Sequence, residues 1–203
     1  ALAHLWAAGL EWDGRLAPVI ACPEAEQNIL RKQLETQLNT VPTSSMGRLF
    51  DAVASLAGVR QTITYEAQAA IELEALALES TAGTYHFAHS GAEFDAAPLI
   101  GGVVEDVISG VSAAVIAARF HNAVADLILG ISIDQRDKTG INQIALSGGV
   151  FQNVTLLEST VLRLEQAGFE ILVHHKVPPN DGGLALGQAI IAARQPILKN
   201  SLS

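Results

Sequence analysis

The 203-residue chain has a single cysteine, Cys22. An intrachain disulfide is therefore excluded, and a reducing, cytoplasmic setting is the expectation. Basic residues are scarce: 12 Lys and Arg stand against 21 Asp and Glu, a formal charge of −9. So acidic a chain lacks the footprint of a non-specific nucleic-acid binder. No apolar run reaches the ~18–20 residues of a membrane span. The longest candidate, Val107–Ala118, is short, alanine-rich and followed by Arg119. Ala1–Leu10 has no basic start or cleavage pattern, and there is no initiating methionine. Ala1–Trp6 already reads as helix, so the expectation is a piece of a longer protein with neither nucleic acid nor membrane as partner.

What is present is apolar material, 49% of the residues, enough for a substantial core. The chain is organised around Ala145–Asn153. Ile141, Ile144, Ala145 and Leu146 supply a buried strand. Gly148 and Gly149 permit a tight turn and the close approach of a ligand. Asn153 and Val154–Leu164 open a helix with Leu156, Leu157, Val161 and Leu164 on one face. Free N–H groups at such a start favour an anion or a polar ligand edge. A second unit repeats the design: His174 and Val177 end a strand, Asn180–Gly183 turns, and Leu184–Ala193 is an apolar helix. A carboxylate at that turn, Asp181, can hold a metal or cap the helix.

The first two-thirds reads as mostly helical. Ala1–Ala8 ends a helix at Gly9, and Glu11–Ala21 reads as loop. Pro23 starts a helix with Glu24 and Glu26 in its first turn and Ile29, Leu30, Leu34 and Leu38 on its apolar face. Ser45 caps Met46–Ala57, which buries Leu49, Phe50, Val53 and Leu56 and ends at Gly58. Gly47 inside that helix costs about 1 kcal/mol against alanine, so a neighbouring backbone or a ligand should require it. A further helix begins near Tyr65, with Ala69, Ile71, Leu73 and Leu76 inward. Thr84–His89 reads as a short strand and Ser90–Pro98 as loop. Leu99–Ile131 forms one or two helices, broken at Gly110 and Ser112, and Asp134–Gly140 reads as a charged turn. The tail Gln195–Ser203 is expected to be loosely ordered. The class is α/β, mostly helical with a small sheet.

Five ordered segments carry a resemblance: Pro42–Ala52, Tyr65-Glu66, Phe120-His121, Ser147–Asn153 and Asn180–Gln188. Together they resemble the C-terminal part of the hydrogenase maturation carbamoyltransferase HypF. That domain is similar to the tRNA threonylcarbamoyladenosine transferase, with the actin/hexokinase-like ATPase fold. The resemblance implies that residues 1–203 are most of its second lobe. The His-x-x-x-His cluster of the first lobe is missing, since none of the six histidines are four apart.

The family implies carbamoyl phosphate as source and ATP as activator, through a carbamoyl adenylate. It implies transfer to the C-terminal cysteine of a HypE-like acceptor, toward the cyanide ligand of nickel–iron hydrogenases. Gly148, Gly149 and Asn153 would contact adenosine, the Asn side chain reading a base or sugar edge. Gly47 belongs to the same motif as Asp51. Asp51 would hold the ribose, or be a solvated acid or a partner of Arg48. Glu66 would share the ribose, or be a helix-start acid. Asp181 matches a divalent-metal aspartate, the rest of whose site would lie in the missing lobe. No catalytic residue is assigned. His121 reads as a satisfied core histidine more readily than as a ligand. His174 and His175 read as facing opposite sides of a strand. Cys22 has no pKa-lowering neighbour in sequence. The lone lobe would be inactive and prone to self-association through uncovered apolar surface. The rivals are a tRNA threonylcarbamoyl transferase, which the charge and Phe151-Gln152 oppose, and a helical interaction module without a nucleotide site.

Overall fold

A computed structural model describes residues 1–77, 83–90 and 93–194. Its helices are α1 (Leu2–Ala7), α2 (Ala17–Ala21), α3 (Glu24–Thr36), α4 (Met46–Leu56), α5 (Gln68–Ala77), α6 (Ala97–Ile108), α7 (Ala113–Thr139), α8 (Val154–Gln166) and α9 (Leu184–Arg194). Strands β1 (Ala88–Ser90) and β2 (Glu93–Asp95) form an antiparallel pair, and β3 (Gln143–Ala145) and β4 (Glu170–Leu172) a parallel one. A mostly helical chain with little sheet is thus what the sequence pattern led one to expect.

The spine is α7. Ser112 starts it by accepting from the Val115 N–H at 3.4 Å, and Gly140 stops it at φ +72°. Its 27 residues span about 40 Å at 1.5 Å per residue. The first half is buried: Ile116, Ala117, Phe120, Ala123 and Val124 pack with Leu49, Phe50 and Val53 of α4, Leu73 of α5 and Leu99 of α6. The second half places Ile128, Leu129 and Ile133 against a smaller cluster around Leu146, Leu164 and Phe169. Burial at this scale contributes about 25 cal/mol per Å² of apolar surface. Among the described helices only α7 has the length and apolarity to cross a membrane. Here that apolarity belongs to the core of a folded domain.

Several expectations are corrected. Asp134–Gly140 is no turn: Arg136 lays its guanidinium 4.2 Å over Phe169 and donates to the Ala167 carbonyl, so the helix continues to Thr139. Residues 17–21 are helical, because Pro18 sits in the first turn, where its missing N–H costs nothing. Ile29 and Leu38 are 61% exposed and Ile71 is 50% exposed, since only one flank of each segment meets the core. Of the expected first strand only Ala88 and His89 pair, and both Ser90 and β2 lie inside the expected loop. β4 ends at Leu172, so His174 and His175 do not lie in a strand. Every residue of α9 is exposed. The expected tail lies outside the described residues.

Candidate functional site

β3 and β4 run parallel in the register Ile144 to Ile171, and α8 connects them. In open parallel sheets, ligands bind outside the carboxyl ends of the strands. Here the loops after those ends are Ser147–Asn153 and His174–Gly183, and they meet. The Gly148 N–H donates to the Pro179 carbonyl at 2.8 Å. Gly148 itself sits at φ +110°, ψ 159°, a conformation essentially confined to glycine. Gly149–Gln152 then forms a 3₁₀ turn, and Asn153 caps α8 by accepting from the Leu156 N–H at 2.7 Å.

The second bend is built around Asn180. Its side chain, rather than that of Asp181, accepts from the Gly182 N–H at 3.0 Å. Asp181 is exposed. Gly183 is required on steric grounds: an added Cβ would stand 2.7 Å from the Pro178 carbonyl oxygen and 3.0 Å from Val177. On its rim, His174 Nε2 lies 3.0 Å from Ser147 Oγ.

The α8 start is not free for a ligand, contrary to the sequence expectation. Glu74 of α5 accepts from the Thr155 N–H at 3.0 Å, beside the Asn153 cap. Asn153 is also largely committed. Its amide nitrogen lies 2.9 Å from His121 Nε2, leaving one amide hydrogen and part of its oxygen for a ligand. His121 is 2% exposed and stacks edge-on to Phe50, 5.3 Å between ring centroids. Through Phe50, α4 therefore packs toward the bend.

Asp51 follows Phe50 on α4 and is half-buried. Gly47 lies a turn earlier. A Cβ there would meet only Ser45 Oγ, at 3.8 Å, so no described neighbour in this chain explains the glycine. Glu66 is exposed on the turn before α5, next to Ala67 at φ +61°. Among the described residues its side chain makes no hydrogen bond. The structure therefore joins Gly148, Gly149 and Asn153 to the Asp181 turn, and Asn153, through His121 and Phe50, to α4. Among the described residues two open hollows lie elsewhere, one beside Ala1, Pro18 and Cys22, the other beside Tyr85, Phe94 and Asp134. Among the described residues no three His, Cys, Asp or Glu side chains converge as a metal site.

Sequence reasoning missed Glu74 as the cap of α8 and His121 as the partner of Asn153. Glu74 and Thr155 are 81 residues apart, His121 and Asn153 32 apart, and no local spacing signals either pair. The core reading of His121 does hold.

Burial holds the His121 pKa below its ordinary 6.5, with the Ala117 carbonyl and Glu74 acting in the opposite sense. The unfolded chain therefore takes up the proton first as the pH falls. The contribution of neutral His121 is complete above about pH 6.5 and is lost progressively below it. His4, also lowered by burial, adds to the slope. The urea midpoint should be lower at about pH 5.5 than at about pH 7, with a shallower dependence in His121→Phe. Equal slopes in the two proteins would show that His121 titrates as if solvated.

Two parallel strands whose carboxyl-end loops join, walled by helices, place the chain in the α/β class, where ligands commonly sit beyond those strand ends. Residues 1–188 match the model of the carbamoyltransferase, Kae1-like domain, second subdomain. The chain belongs to the HypF carbamoyltransferase family. It is 41% identical over 162 residues to carbamoyltransferase HypF of Synechocystis, covering 76% of this chain and 20% of that protein. It is 40% identical over 173 residues to a HypF homolog of Cupriavidus necator, covering 80% and 44%. The chain thus spans a fifth to under a half of these relatives. The crystal structure of full-length HypF in the phosphate- and nucleotide-bound form superposes with a TM-score of 0.81 at 41% identity, covering 91% of this chain and 24% of that one. HypF of T. kodakarensis gives 0.77 at 26%, covering 95% and 25%.

Proposed function

We propose that residues 1–203 are the second lobe of an actin/hexokinase-like domain, and the nucleotide-binding part of a cytoplasmic carbamoyltransferase. The full protein would use carbamoyl phosphate and ATP, through a carbamoyl adenylate, to carbamoylate the C-terminal cysteine of a HypE-like acceptor. That step would serve nickel–iron hydrogenase maturation. The observation that carries this reading is the joined pair of bends in a chain 41% identical to a HypF solved with nucleotide bound. The residues present suit adenosine. Gly148 and Gly149 bring bare backbone to the surface, Asn153 keeps one amide hydrogen, and Asp51 supplies a carboxylate for ribose hydroxyls. Gly47 lets a ligand approach the α4 start, and Glu66 is the more peripheral acid.

The residues present do not fit a metal on their own. Asp181 offers one exposed oxygen donor, and a divalent ion needs several. No step is therefore assigned to a metal here. The lobe by itself positions adenosine and lacks the groups that would orient the carbamoyl donor, so it should not turn over.

Calorimetry with AMP and with ATP plus Mg²⁺ tests the reading. Saturable binding is expected, weakened roughly tenfold or more by Asp51→Ala, as for loss of a hydrogen bond to a charged group. Absence of heat at millimolar nucleotide, or an unaltered Asp51→Ala, would favour an interaction module instead.

A further inference from the structure

His121 lies in the buried first half of α7, and the reading above gives it no task. Its ring is nonetheless bonded at both nitrogens. Nδ1 is 2.8 Å from the Ala117 carbonyl oxygen, which can only accept. Nδ1 must therefore carry the hydrogen, and in the neutral ring Nε2 is left as an acceptor only. The atom facing Nε2 at 2.9 Å is the amide nitrogen of Asn153, a donor. The orientation of that amide is fixed independently, because its oxygen accepts from the Leu156 N–H. A chain of one-way hydrogen bonds thus runs from the α7 backbone through His121 and Asn153 to the first turn of α8.

We propose that His121 is a positioning residue for the nucleotide-binding bend, acting through Asn153. It rests on the nucleotide reading above. The ring allows the Asn153 amide one orientation. The opposite orientation would set an amide oxygen against the Nε2 lone pair and an amide N–H against the Leu156 N–H. Locking the amide fixes the junction between the 3₁₀ turn and α8, and with it the path of Gly148–Gln152 that faces the ligand. Phe50, edge-on to the same ring, ties this lock to the helix that carries Asp51. Among the described residues Glu74 is the titratable group that acts on the ring from a packed element.

Nitrogen-15 NMR of the full chain, with His121→Phe and His121→Gln, tests the proposal. In the wild type, the His121 resonances should show a protonated Nδ1 and a bare Nε2. Phe keeps the ring volume but removes the acceptor, whereas Gln can present an oxygen near the Nε2 position. His121→Phe should shift the Asn153 side-chain amide resonances and weaken AMP binding about tenfold, with His121→Gln within about twofold of wild type. A protonated Nε2, an unshifted Asn153 amide in His121→Phe, or wild-type AMP affinity in that variant would overturn the proposal. A wild type that binds no AMP would sink the nucleotide reading, while the tautomer and the Asn153 resonances would still decide whether the lock exists. If His121→Phe fails to fold, the wild-type tautomer and the Gln variant carry the decision.

Discussion

Phe120→Ala should destabilise the protein by about 3–5 kcal/mol, the usual cost of emptying a fully buried aromatic site. For a chain of this size that lowers the melting temperature by roughly 6–20 °C. The large effect follows from position. Phe120 has no exposure, sits edge-on to Phe50 at 4.6 Å and 6.0 Å from His121, and lies where α4 and α7 meet. The alanine methyl would leave the Phe50 ring facing a void that neighbouring helices cannot close without moving. Leu162→Ala, at a site 54% exposed on α8, should cost within about 0.5 kcal/mol. Scanning calorimetry of both variants checks the contrast. Comparable shifts would mean that the two helices do not meet at Phe120.

Gly183→Ala should cut nucleotide affinity about tenfold or more while changing global stability far less. The added Cβ must displace the Pro178 carbonyl, 2.7 Å away, and backbone cannot yield as a flexible side chain does. The next carbonyl, that of Pro179, is the acceptor of the Gly148 N–H. Overpacking typically costs 1–3 kcal/mol, and here it falls on the contact that joins the two bends. Gly187→Ala is the control, because its Cβ would point into open space. Two measurements separate the outcomes. Hydrogen exchange at the Gly148 amide should speed up in Gly183→Ala, and AMP titration should show the affinity loss. Wild-type exchange would show that the bends are not coupled. Faster exchange with unchanged affinity would place the nucleotide elsewhere.

The helical framework was legible because its signals are local. Ser45 caps its helix, Gly58 follows its far end at positive φ, Gly110 and Ser112 mark a break, and the apolar spacing of Leu49, Phe50, Val53 and Leu56 marks a buried stripe. The Gly148–Asn153 bend was legible for the same reason. What misled was polarity standing in for irregularity. Asp134–Gly140 carries charges on the solvent side of a helix whose inward side is Ile133 and the stem of Arg136. Exposed apolar residues misled in the opposite sense, as at Ile71 and α9. Of the candidate site, the glycines could be read from sequence. The wiring could not, since Glu74, His121 and Asn153 are brought together only by α5, α7 and α8 packing on one another.

The Glu74 carboxylate on the first turn of α8 has a consequence for charge. The positive end of a helix ordinarily draws phosphate. In this protein a resident anion already occupies it, and a second would meet repulsion instead of welcome. If the bend holds a nucleotide as proposed, the end that faces α8 should be the uncharged one. A triphosphate seated here would do best with its negative tail pointing away from α8, so one acidic side chain borrowed from a neighbouring helix would give such a ligand a direction.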